Sequence, residues 1–111
     1  MPPKVKITNE EIIEAALSIV RKGGIASVNV REVAKVLGCS IQPVFRNFKS
    51  MENLKKELYV RAGEIHNEYM EKGLSLHQIP FLGMGIAYID FERKEKNLFK
   101  FIILNLFMNL I

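Results

Sequence analysis

Much of the usual chemical equipment is scarce in these 111 residues. The single cysteine, Cys39, excludes an internal disulfide and leaves no thiolate cluster for zinc. The two histidines, His66 and His77, have no companions at metal-ligand spacing, so no metal site is expected. No apolar segment opens the chain, which argues against a secretory signal and makes the cytoplasm the expected compartment. The most apolar run, NLFKFIILNLFMNLI, carries Lys100 and is shorter than the roughly 20 residues needed to cross a bilayer, so no membrane span is expected. Gly83-x-Gly85 follows no strand and is not a phosphate-cradling loop, and no nucleophile stands in a recognisable pairing with a base. Enzymatic activity and a cofactor are therefore not expected.

What is present is a helical pattern and an uneven charge. Hydrophobic residues make up 49% of the chain and charged residues 25%, the balance of a folded protein rather than a disordered one. The formal charge of +4 lies entirely in residues 1 to 60, which hold ten Lys or Arg against six Asp or Glu; residues 61 to 111 hold six of each. A basic head on a neutral body is the distribution expected of a polyanion-binding protein.

The organising stretch is NVREVAKVLGCSIQPVFRNF, from Asn29 to Phe48. Asn29 is placed to cap a short helix, with Glu32 reaching back to it and Val28 stapled onto Val33. Val33, Ala34 and Leu37 form its apolar face. Gly38 supplies the left-handed stop, and Ser40 is expected to cap a second helix running to about Asn47. Pro43 then falls at the third helical position, where its missing N–H costs nothing within the helix. Val44 and Phe48 are spaced to face inward. Two helices joined by Gly38-Cys39-Ser40 form the helix-turn-helix pattern, whose second helix enters the DNA major groove.

Around this unit the rest follows in order. MPPKVKI is a short basic arm. Thr8 opens a helix with a T-x-x-E capping box completed by Glu11, and Ile12, Ile13, Ala16, Leu17 and Val20 make its apolar face until Gly23-Gly24. Ser50 caps a long helix from Met51 to about Lys72, closed by Gly73, with Leu54, Leu58, Ala62, Ile65 and Tyr69 on one stripe. Pro80 leads into a helix of about Phe81 to Arg93, and a last helix begins near Lys96. That last helix is apolar on nearly every side, so either the chain is truncated or a second copy covers it.

From Thr8 to about Leu58 the sequence resembles the DNA-binding head of the tetracycline-repressor-like (TetR) family of bacterial transcriptional regulators. The resemblance rests on the capped first helix, Val30-Arg31-Glu32-Val33-Ala34, Leu37-Gly38-Cys39-Ser40, and Phe45-x-x-Phe48 leading to Ser50 and Leu54. It departs from the family pattern at Pro43, Arg46, Asn47 and Met51, which fits an altered sequence preference. The resemblance implies an all-α protein: a three-helix head joined by a long fourth helix to a short or truncated body. Residues 1–50 are the expected head and 51–111 the linker helix and partial regulatory and dimerisation body. It further implies a homodimer on double-stranded DNA, a repressor's role and a small-molecule effector.

Helix starts favour anions, so Asn29, Arg31, Lys49 and Ser50 are expected to hold phosphates, with Lys55 as a weaker candidate. Ile41, Gln42, Phe45 and Arg46 are expected to meet base edges, because Gln pairs with adenine, Arg with guanine, and apolar groups meet the thymine methyl. Phe81, Met84, Tyr88 and Phe91 are expected to line a ligand pocket. The competing reading is a helical interaction module that pairs through the apolar C-terminal helix without reading DNA.

Overall fold

The computed structural model describes residues 6–110, the side chains of 108–110 excepted. Most of the expected basic arm, residues 1–5, lies outside the described residues. Six α-helices follow one another, with no strand among the described residues. The chain divides into two units, one ending at Leu58 and the other beginning at Tyr59. The expected boundary after Ser50 falls two turns earlier; Leu54 and Leu58 are fully buried and belong to the first unit.

In the first unit, α1 (Asn9–Gly23) begins with the complete capping box. The Glu11 N–H donates to Thr8 Oγ1 at 3.1 Å, and the Thr8 N–H donates to Glu11 Oε1 at 3.1 Å. Ile12, Ala15, Ala16, Leu17 and Val20 are buried. Ala15 takes the place expected for Ile13, which is only half-buried. A 3₁₀ turn, Ile25–Ser27, leads to α2 (Val30–Leu37), and α1 packs on both. The Glu32 N–H donates to Asn29 Oδ1 at 2.9 Å, so Asn29 is the cap. The reciprocal half does not form: the Glu32 carboxylate lies 3.9 Å from the Lys35 ammonium instead.

At Gly38 the backbone turns left-handed, with φ of 68°, the region where only glycine escapes a Cβ clash. The Cys39 N–H donates to the Ala34 carbonyl at 3.0 Å and the Gly38 N–H to that of Lys35 at 3.2 Å, the paired bonds of a Schellman ending. The next helix, α3 (Gln42–Asn47), does not begin as expected. Ile41 holds the cap position, no side chain caps it, and Pro43 is the second helical residue rather than the third. A Ser40 cap would need the N–H of its second or third helical residue, and the third would be Pro43, which has none. Val44 and Phe48 are buried as expected. Asn47 Nδ2 donates to the Pro43 carbonyl at 2.9 Å and to that of Ile7 at 3.2 Å, tying the end of α3 to the segment before α1.

Helix α4 (Met51–Leu76) starts on the expected cap, with the Asn53 N–H donating to Ser50 Oγ at 3.1 Å. It does not end at Gly73. That glycine is buried against Gly83 of α5 (Pro80–Lys94), where a Cβ would stand 2.5 Å from the Gly83 carbonyl oxygen and 2.6 Å from the Ala87 Cβ. Gly73 therefore serves close helix approach, and the helix runs on for three residues. Helix α6 (Lys96–Leu110) packs on α5. Edge-to-face ring pairs join the three helices of this unit: Tyr59 with Phe101, His66 and Tyr69 with Phe91, and Tyr88 with Phe99.

Candidate nucleic-acid interface

The burial of Val44 and Phe48 fixes which way α3 faces. Ile41 at the cap position and Gln42, Phe45 and Arg46 within the helix are all exposed, and these are the four expected base-reading residues. Ile41 and Phe45, one turn apart, are 42% and 47% exposed, so both would gain by burial against a partner. The expected phosphate residues Asn29, Arg31, Lys49, Ser50 and Lys55 are exposed as well.

Some of these residues meet. A shallow hollow of about 380 Å³ is lined by Asn29, Val30, Arg31, Ile41, Phe45 and Met51. The starts of α2, α3 and α4 thus converge on one place, although Gln42, Arg46, Lys49, Ser50 and Lys55 do not line it. Among the described residues, Arg31, Arg46, Lys49 and Lys55 have no carboxylate partner, so their charge is available to an external anion. Asn29 has a divided side chain. Its Oδ1 is used as the cap of α2, which leaves the amide N–H groups to donate outward.

Sequence reasoning missed Val30 and Met51 as walls of the hollow, and Asn47 as the tie between α3 and Ile7. Met51 was readable as an apolar residue at a helix start, where charge is the norm. Asn47 carried no signal, because its partners are backbone carbonyls.

In the second unit the expected pocket is corrected. Phe81, Met84 and Tyr88 are exposed, at 86%, 43% and 46%, while Phe91 is fully buried, so the four do not enclose a cavity. The inward stripe of α5 is Gly83, Ala87 and Phe91. Helix α5 is apolar on several faces, and the small residues that let α4 approach decided which face turned inward. The hollow that does occur there, about 280 Å³, is lined by residues of α4 and α5 that include Tyr69, Lys72, His77, Asp90 and Lys94. No group of His, Cys, Asp and Glu among the described residues could hold a metal ion, and no described helix is long and apolar enough to cross a membrane.

Residues 12–58 match the family model for bacterial regulatory proteins of the tetR family. No curated protein and no solved structure matches the chain. The matched stretch begins on the buried face of α1 and ends at Leu58, the last residue of the first unit, so it takes in all three helix starts that border the hollow. The chain therefore carries the N-terminal DNA-binding head of the tetR family of bacterial transcriptional regulators.

Proposed function

We propose that this regulator is a sequence-specific repressor that places α3 in the major groove of its operator. The observation that carries the reading is the division of α3, whose Val44 is locked into the core while Ile41, Gln42, Phe45 and Arg46 stand free in solvent. Gln42 and Arg46 supply the hydrogen-bonding groups that discriminate adenine and guanine. Asn29, Arg31, Lys49, Ser50 and, more weakly, Lys55 hold phosphates and set the register. Two heads in a homodimer meet a palindromic site, a small-molecule effector acts on the second unit, and the protein works in the cytoplasm as a regulator rather than an enzyme. For the effector, the hollow lined by Tyr69, Lys72, His77, Asp90 and Lys94 replaces the pocket expected from the sequence.

The test is a binding titration on an operator selected from random duplex. Affinity should fall by about 0.9 log unit per phosphate contact for each tenfold rise in salt. Arg46→Ala should flatten the preference at one base position, whereas Lys49→Ala should weaken all duplexes alike. Salt-independent binding would defeat the proposal. The exposed apolar side chains of α5 and α6, Phe81 and Phe107 among them, favour a second reading as an interaction module. Capture of a protein partner with no shift of any duplex would select it.

A further inference from the structure

The hollow at the starts of α2, α3 and α4 is walled by carbon: Ile41 and Phe45 of α3, Val30 of α2 and Met51 of α4. Its remaining lining residues, Asn29 and Arg31, are a neutral amide and a cation, with no carboxylate. Arg46 and Lys49, exposed and without carboxylate partners among the described residues, add to the positive charge of this head. An apolar hollow on a cationic surface calls for an occupant that is a polyanion yet presents apolar groups. In the major groove of duplex DNA that group is the thymine 5-methyl, since the other features displayed there are hydrogen-bond donors and acceptors.

We propose that this hollow seats thymine methyl groups, so that the half-site read by α3 carries thymine where Ile41 and Phe45 meet the bases. The inference rests on the DNA-reading proposal above and adds the class of base that these two residues select. Ile41 and Phe45, one turn apart, contact neighbouring positions along the groove. Val30 and Met51 close the sides, excluding water from the methyl. The cationic rim holds the adjoining phosphates.

The experiment enriches a randomised duplex pool on the full chain, then replaces each thymine of the enriched half-site with deoxyuridine, which pairs identically but lacks the methyl. The expected result is a loss of about fourfold for each seated methyl, at one or two positions, with the other thymines indifferent. Ile41→Ala and Phe45→Ala should each weaken the thymine duplex and abolish the thymine–uracil difference at one position. Both side chains are exposed, so neither change should disturb the fold, and near-native helicity by circular dichroism checks this. An enriched site whose thymines all tolerate uracil overturns the proposal. So does a thymine–uracil difference that persists in both variants, which would belong to DNA stiffness. A pool that enriches no sequence overturns the DNA-reading proposal itself and this one with it.

Discussion

Asn29 caps α2 and, in the proposed reading, also donates to a phosphate, and the two roles can be separated. Its Oδ1 accepts from the Glu32 N–H, and aspartate caps a helix about as well as asparagine. Asn29→Asp should therefore leave the melting temperature unchanged or slightly raised, since a negative charge suits a helix start. The same change removes the outward N–H donors and puts a carboxylate where the proposal seats a phosphate. Operator affinity should fall at least tenfold. A variant that melts early would show that the amide matters to the fold, and one that binds DNA normally would remove Asn29 from the phosphate set. Gly38 makes a purely conformational case at the same scale. A Cβ there meets nothing within 4 Å, yet φ is 68°, so Gly38→Ala should cost about 1–2 kcal/mol from backbone strain alone. Denaturant unfolding checks it, and Gly38→Asn should recover part of the loss.

Whole helices were more legible than their ends. Caps made by one residue on its own neighbours, Thr8, Asn29 and Ser50, were readable because the bonding pattern is local. Gly38 was readable for the same reason. Ser40 and Gly73 were misread because each obeyed something outside its immediate pattern. Pro43 left a Ser40 cap only the Gln42 N–H, and Gly73 was taken up by a helix crossing with Gly83. The inward face of α5 was hidden by its all-round apolar character, so three of the expected pocket residues, Phe81, Met84 and Tyr88, came out exposed. The same helix α4 offers a controlled test of the crossing. Gly73→Ala pushes a methyl into Gly83 and Ala87 and should destabilise the protein by about 1–3 kcal/mol. Gly63→Ala, in the same helix with nothing within 4 Å of its Cβ, should stabilise by about 0.4–1 kcal/mol. Opposite signs from two glycines of one helix would establish close approach as the function of Gly73, and equal signs would refute it.

Across the whole molecule, charge and apolar surface are sorted to different units. The formal +4 is contributed by the first 60 residues, while large exposed apolar side chains crowd α5 and α6, including Leu82, Ile86, Ile89, Leu104 and Phe107. Water-exposed apolar surface of that extent is disfavoured in a monomer and is the usual mark of an association surface. Under the homodimer proposed above, a second copy would cover this surface, and that occupant also serves DNA reading. Once one head is bound, joining two heads makes the second contact intramolecular, which raises affinity for a paired half-site without any new contact to the bases. Sedimentation equilibrium should accordingly give a mass that rises with concentration toward twice that of one chain. The double variant Leu104→Glu, Phe107→Glu alters only exposed positions, so it should keep its helicity but remain monomeric at concentrations where the unaltered chain pairs. Its affinity for a duplex with one half-site should match that of the unaltered protein. Its affinity for the palindrome should drop by an order of magnitude or more, because the linked second contact is lost. A variant that still dimerises would move the interface away from α6, and one that is monomeric yet holds the palindrome as tightly as before would show that each head reads DNA alone.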